Sequence, residues 1–452
     1  MTSAVATLAS NQQILPLTAV TNSRGHLVIG GCDVVELVAQ FGSPLYILDE
    51  VTFRTACRQY ADTLQQSYAG ESLVLYASKA WNCLATCALA HSEGLGIDVA
   101  SGGELYTALG AGVPAANIYF HGNNKSPQEL LYALEVNCTI VADNWLELDR
   151  LAAYAQEHDL AMPPRIMLRL TPGIECHTHE YIRTGHLDSK FGFDPQQFPD
   201  LLQFAQAHPE LDWVGIHAHI GSQIFEQQPH IDLCTVLVDW LQAAREALLP
   251  MRELNVGGGL GIRYIESDTP PAIATWVKTI SHHLSDACAR RNLALPKLLC
   301  EPGRSIVGPA AVTAYTVGSR KTIPDLRTYV AVDGGMSDNP RPITYQAQYT
   351  ALCANRMTTA ATETVRIAGK HCESGDILLP EVTLPPLQAN DVLVVASTGA
   401  YNYSMASNYN RLPRPAAVLV CDGDANLILQ RETYADLTAH DVLPLRLSSH
   451  SP

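Results

Sequence analysis

Eight short strand-like runs punctuate the chain between Ser72 and Cys300, and the segments between them are long enough for helices. The runs are Ser72–Lys79, Gly96–Ser101, Asn117–His121, Cys138–Ala142, Arg165–Leu170, Trp213–His219, Glu253–Val256 and Lys297–Cys300. Helical patterns fall at Gly103–Ala111, Pro127–Val136, Trp145–His158 and Ile231–Leu248. In the last, Leu233, Val236, Leu237, Trp240 and Leu241 recur at intervals of three and four, which puts them on one helical face. Eight strands alternating with helices is the count of a closed (β/α)8 TIM-like barrel, an α/β fold. A doubly wound open sheet is the alternative, because alternation alone does not prove closure.

Beyond Ala311 the pattern changes. Ala311–Val317, Thr328–Val332, Val365–Ala368, Val392–Ala396, Ala416–Cys421 and Leu427–Gln430 read as strands without long helices between them. That predicts a second, all-β domain over 311–452. Two early runs, His26–Gly30 and Leu45–Leu48, flank a helix-like Asp33–Phe41 and are expected to join it, so residues 26–50 belong to the β domain and 51–310 to the barrel. The first thirty-two residues hold no acid and one arginine, Arg24. Residues 1–25 are therefore expected to be a disordered extension, with only a weak likeness to an organellar transit peptide.

Composition removes several functional classes. A net charge of -16, with 29 basic against 45 acidic residues and no basic run, argues against a nucleic-acid footprint. No apolar stretch reaches membrane-spanning length. The twelve cysteines are scattered without a CxxC pair, and no signal-peptide pattern is present, which suits a reducing cytoplasm.

The chemistry concentrates at strand ends, where a barrel of this kind places its working residues. Lys79 closes the first run in an apolar setting. Such a setting disfavours the ammonium form, lowers the lysine pKa and makes a candidate Schiff-base former. A lysine snorkelling from a strand end is the plainer reading. After the seventh run comes Gly257-Gly258-Gly259-Leu260-Gly261, whose bare N–H groups could approach a phosphate closely. It lacks the GxGxxG spacing of a dinucleotide site. The sixth run carries His217-Ala218-His219-Ile220-Gly221-Ser222. Its two histidines share a strand face and could suit zinc, but no acid or cysteine of matching geometry can be assigned. An imidazole stacked on an aromatic cofactor, with Ser222 on a phosphate, is the sharper reading. His177-Thr178-His179 lies on a polar loop, ordering it or touching substrate. The eighth run ends Cys300-Glu301-Pro302-Gly303-Arg304. A carboxylate there needs a positive partner: either Arg304, or a pyridinium nitrogen that it would keep protonated. Lysine, phosphate cradle, imidazole and carboxylate together describe a pyridoxal 5′-phosphate site.

These residues resemble the barrel-type pyridoxal-phosphate decarboxylases, over about Gly42 to Val420. The likeness rests on Tyr76-Ala77-Ser78-Lys79-Ala80, His121-Gly122-Asn123-Asn124-Lys125-Ser126, His177-Thr178-His179-Glu180-Tyr181, Ser189-Lys190-Phe191-Gly192 and His219-Ile220-Gly221-Ser222-Gln223. It continues through Glu301-Pro302-Gly303-Arg304, Cys372-Glu373-Ser374-Gly375-Asp376, Gly399-Ala400-Tyr401 and Asn408-Tyr409-Asn410. The resemblance implies an alanine-racemase-like barrel with pyridoxal 5′-phosphate as cofactor and no metal. Lys79 would hold the cofactor, His219 would stack on its ring, and Ser222 with Gly257, Gly258 and Gly259 would bind its phosphate. Glu301 would face the ring nitrogen, with Asp98, Gly303, Arg304 and Tyr401 also at the cofactor. Arg304, Arg341 and Tyr345 would grip a distal carboxylate of the substrate, Glu373 its distal amine, and Tyr401 would touch both ligands. Cys372 would protonate the reaction centre from the neighbouring subunit of a homodimer with shared sites. The implied reaction converts meso-2,6-diaminopimelate to L-lysine and CO2. Ornithine or arginine decarboxylation, and a non-catalytic pyridoxal-phosphate-binding protein, are the rivals. Asn402 and Arg411-Leu412 depart from the family's wording beside matched residues.

Overall fold

The computed structural model describes residues 9–157, 162–174 and 189–448. They form two compact units. The first takes the described residues of Met1–Thr18, Asp49–Ala311 and Ala396–Ser404; the second takes those of Ala19–Leu48, Val312–Val395 and Met405–Pro452.

The first unit is a closed barrel of eight strands: β1 Ser72–Ala77, β2 Gly96–Val99, β3 Ile118–Phe120, β4 Thr139–Ala142, β5 Arg165–Arg169, β6 Asp212–His217, β7 Glu253–Asn255 and β8 Lys297–Cys300. All neighbours run parallel, and β8 closes on β1 with Leu299 opposite Leu73, which excludes the open sheet. Leu75, Tyr119, Val141, Met167, Val214 and Leu299, from six strands, meet as one fully buried layer inside it. Filling a barrel with side chains makes a packed core rather than a pore. Six strands end one or two residues short of the sequence reading, while β4 and β8 end where it put them. After Ala77 the chain tightens into a 3-10 turn, Ser78–Ala80, which lifts Lys79 off β1.

Local chemistry explains the helix Pro127–Val136. Ser126 and Glu129 form a reciprocal capping box, Pro127 takes the first turn, and Asn137 closes in the left-handed conformation. Around the barrel, Glu50–Ser67 and Ile273–Arg290 pack together through Tyr60 and Trp276, whose ring centroids lie 5.9 Å apart. Neither helix is among the helical patterns read from the sequence.

Residues 9–18 also belong to this unit, against the expectation of disorder. Asn11 is fully buried, and its Nδ2 donates to the carbonyls of Gly261 (3.2 Å) and Pro271 (2.8 Å). The Arg263 N–H donates in turn to the Asn11 carbonyl at 3.0 Å. The anchor thus holds the far end of the glycine-rich loop.

The second unit is β-rich. A small sheet joins Val20–Thr21, Leu27–Ile29 and Cys32–Asp33. A larger one orders Ile377–Leu384, Glu363–Ala368, Arg327–Val332, Ala311–Ile323, Leu45–Asp49, Ala416–Cys421 and Asp424–Leu429, with Ala351–Cys353 and Val392–Val395 joined to it. The early strand Leu45–Asp49 thus joins the C-terminal sheet as expected, whereas Leu27–Ile29 builds the small one. Ile377–Leu384 escaped the sequence reading, since Pro380 sits inside it and the pairing register shifts there.

Candidate active site

One cavity in the barrel unit is lined by Lys79, His219, Ser222, Gly258, Gly259, Glu301, Gly303, Arg304 and Tyr401. It gathers the ends of β1, β6, β7 and β8, as the motifs required. Lys79 Nζ lies 3.4 Å from Asp98 Oδ2, on β2, and its side chain keeps 44% of its exposure. The expected depression of its pKa is not found. Burial works downward, but Asp98, Tyr401 and Glu301 outweigh it and raise the ammonium above its ordinary range. The setting is open and anionic rather than apolar.

The glycines are forced by contact. A Cβ at Gly258 would lie 2.3 Å from the Glu301 carbonyl, and one at Gly303 would lie 2.8 Å from that of Ala77. Gly257 and Gly259 adopt φ of 65° and 119°, where side chains are strained. The Gly257 N–H goes to Asn255 Oδ1 (2.9 Å) and that of Gly258 to His219 Nδ1 (3.3 Å). His219 is thereby fixed as an Nδ1 acceptor, and burial, reinforced by Lys79 and Arg169, holds its pKa well below the usual value. A neutral, flat ring is what stacking on a pyridine needs.

Arg304 is buried and spends its fork inside the site. Its Nε and Nη2 donate to Ser222 Oγ at 3.1 and 3.0 Å, its Nη1 to the Tyr264 hydroxyl at 2.8 Å, and its plane lies 4.9 Å from the Tyr401 ring. Tyr401 has φ of 63°, unusual for a non-glycine residue, and its N–H donates to the Ala80 carbonyl at 2.8 Å. That bond ties Tyr401 to the turn carrying Lys79.

Glu301 meets residues that the sequence reading did not place beside it. Asn255 Nδ2 donates to its Oε1 at 2.6 Å, His121 Nε2 lies 2.7 Å from the same oxygen, and His217 Nε2 lies 3.2 Å from Oε2. Burial pushes the carboxyl upward, but His121 and His217 more than offset this and hold it well below the usual range. His217 and His219 therefore part company, one serving Glu301 and the other the glycine loop. The acid that a His217 metal site lacked in sequence is Glu301: ligand atoms of His121, His217 and Glu301 lie within 4.8 Å of one another. Arg169, ending β5, is a further unforeseen residue, its guanidinium 4.4 Å from the Phe191 ring. His177-Thr178-His179-Glu180-Tyr181 lies outside the described residues.

The remaining expected residues sit in the β-rich unit. Buried Arg341, first in the helix Arg341–Tyr345, donates through Nη1 to the Tyr349 hydroxyl at 2.6 Å. Tyr345 ends that helix half-buried. Cys372 and Glu373 are exposed on a loop shaped by Asp376, which accepts from the backbone of Met336 (2.7 Å) and from His371 Nδ1 (2.7 Å). Asn410 Oδ1 accepts the Cys372 N–H at 2.8 Å. The departure at Arg411 has a structural account, since its Nη2 pairs with Asp441 at 2.8 Å. Asn402 is fully buried in the barrel unit, and nothing in its surroundings explains its departure from the family.

A lysine, a neutral imidazole, a glycine cradle with a serine, and a buried carboxylate define a barrel-type pyridoxal-phosphate enzyme. The lining fits that cofactor: amine, serine hydroxyl, glycine turn and carboxylate border one cavity, although the N–H groups of Gly257 and Gly258, expected to be bare, are given to Asn255 and His219. Residues 52–308 match the family model described as "Pyridoxal-dependent decarboxylase, pyridoxal binding domain". The diaminopimelate decarboxylase of Synechocystis sp. is 61% identical over 97% of this chain and 95% of its own length. That of Bacillus subtilis is 45% identical over 94% and 97%. The crystal structure of a diaminopimelate decarboxylase from M. jannaschii in complex with L-lysine superposes with a TM-score of 0.88 at 32% identity, covering 97% of this chain and 100% of that one. The chain belongs to the pyridoxal-dependent decarboxylases and, within them, to the diaminopimelate decarboxylase family.

Proposed function

We propose that the chain decarboxylates meso-2,6-diaminopimelate to L-lysine and CO2 with pyridoxal 5′-phosphate as cofactor. The observation that carries this is the single cavity holding Lys79, the Ser222–Gly258–Gly259 cradle and Glu301. Lys79 would hold the cofactor covalently, Ser222 and the glycine loop its phosphate, His219 the face of its ring, and Glu301 its ring nitrogen. When bound, the cofactor supplies an electron sink for the pair left by departing CO2. Glu301 maintains that sink by holding a proton at the ring nitrogen. Arg304 fixes Ser222, and Tyr401 packs over Arg304.

Substrate choice would rest on Arg341, Tyr345 and Glu373, with Arg304 adding a further guanidinium. A buried guanidinium suits a distal carboxylate, which ornithine and arginine lack. Cys372, the exposed thiol among the described cysteines, would return a proton to the reaction centre of the neighbouring subunit in a homodimer. No described helix is long and apolar enough to cross a membrane. The test is formation of lysine and CO2 from meso-diaminopimelate, with ornithine and arginine as controls. Turnover of either control at the same rate, or of none of the three, overturns the assignment.

A further inference from the structure

Glu301 sits at the end of β8 with almost no exposure, a position that on desolvation alone favours a protonated, uncharged carboxyl. A protonated Glu301 could not keep a pyridine nitrogen charged. Three side chains from three other strand ends prevent it. A carboxylate offers about four acceptor sites. Asn255 Nδ2 donates to Oε1 at 2.6 Å and His217 Nε2 faces Oε2 at 3.2 Å, while His121 Nε2 stands 2.7 Å from Oε1 as a close electrostatic contact outside hydrogen-bonding alignment. Acceptor capacity is left on both oxygens.

The two rings also lock each other, edge to face at 4.8 Å between centroids. Among the described residues His217 Nδ1 has no hydrogen-bond partner, and its Nε2 faces the carboxylate, so the tautomer with hydrogen on Nε2 satisfies the contact. Burial keeps this ring neutral, with a pKa lowered to about 4. A neutral donor orients a carboxylate without cancelling its charge, whereas a cation would take the place meant for a pyridinium. The other charged groups around the pair are Asp98, 3.8 Å from His121 Nε2, and Arg169.

We propose that His121 and His217 are positioning residues that hold Glu301 turned and ionised for the ring nitrogen of the cofactor. This rests on the reading of Glu301 given above, so the test separates the two. Wild type, His121→Leu, His217→Leu, His121→Gln, His217→Gln and Glu301→Gln are each loaded to saturation with pyridoxal phosphate labelled with 15N in the ring. The 15N chemical shift of the bound ring and the kcat and KM of each variant are then measured. Both leucine variants should move the ring signal toward unprotonated pyridine and lower kcat at least about tenfold, the scale for a partner that orients a working residue. KM should stay within about threefold. The glutamine variants, which keep an amide N–H near the position of Nε2, should recover most of both. If Glu301→Gln moves the signal and the leucine variants do not, the proposal fails while the reading of Glu301 stands. If Glu301→Gln leaves the signal in place, both fail. Stoichiometric zinc held by wild type and lost from His217→Leu would overturn the proposal in favour of a metal site. Should the leucine variants not fold, His217→Asn replaces them. Its amide is too short to span the gap, so a signal equal to that of His217→Gln overturns the proposal.

Discussion

Arg304 grips Ser222 Oγ with two nitrogens, at 3.0 and 3.1 Å, so the serine oxygen accepts on both lone pairs and its hydrogen is left to donate. A hydroxyl fixed this way is a donor aimed by a cation, which is what an anionic phosphate requires. Ser222→Ala should weaken pyridoxal-phosphate binding by about 1–1.5 kcal/mol, roughly tenfold in affinity. Equilibrium titration of cofactor-free protein by absorbance measures it. Arg304→Lys should weaken binding too, because a point charge cannot hold Ser222 and Tyr264 together.

Lys79 gives a pH prediction with a definite sign. Its pKa is raised, with Asp98 and Glu301 prominent among the causes opposing burial, so the ammonium dominates at neutral pH and the free amine grows as pH rises. Capture of pyridoxal phosphate by cofactor-free protein, read as borohydride-fixable label, should accelerate from pH 7 to 9. Asp98→Asn removes a carboxylate that raises the pKa and should speed initial capture at pH 7. Lys79→Ala should lose the label and the decarboxylase activity.

Asn11 tests the unexpected N-terminal anchor. Its carboxamide joins two carbonyls and is fully buried, so Asn11→Ala strands both acceptors at a cost of about 1–3 kcal/mol. The expected result is a lower melting temperature together with weaker cofactor affinity, because Gly261 belongs to the glycine-rich loop. Weaker affinity with an unchanged melting temperature would instead confine its role to the loop.

Asp338 makes the β-rich unit sensitive to pH. Burial pushes its pKa from 3.8 up to about 7. The folded form therefore binds more protons than the unfolded one between about pH 4 and 7, and stability falls as pH rises through that window. Asp338→Asn should flatten this slope in denaturant melts, while its Oδ1 can keep the bond from the Gly335 N–H, 2.8 Å in the parent.

The proposed sharing of sites predicts complementation. Mixing inactive Lys79→Ala with inactive Cys372→Ala under subunit exchange should restore roughly a quarter of wild-type activity, half the dimers being mixed with one intact site each. No recovery after proven exchange would place Cys372 in its own subunit's site.

Much of this was legible in the sequence, for a definite reason. The barrel strands are runs of fixed period bounded by turn signals, and the helix Pro127–Val136 carries its own start and stop chemistry. Lys79, Ser222, Gly258 and Glu301 follow strand ends, so counting strands located them. Pairing across the barrel was not legible. His121 follows β3, His217 ends β6 and Asn255 ends β7, and only closure brings them to Glu301. The raised pKa of Lys79 escaped for the same reason, since its governing carboxylate stands on another strand. The anchor at Asn11 gave no signal, because a short polar segment bonded to distant carbonyls has the composition of a free tail.

The place of Leu45–Asp49 in the larger sheet sets a problem of timing. All five residues are buried, between Ala311–Ile323 and Ala416–Cys421. The ribosome makes this strand first and the start of its nearer neighbour about 260 residues later, roughly ten seconds to a minute at ordinary elongation rates. Throughout that interval the nascent chain carries a bare apolar edge while the whole barrel is being made. Yield in a cell should therefore follow elongation rate and the supply of holding chaperones more closely than it follows the stability of the finished molecule.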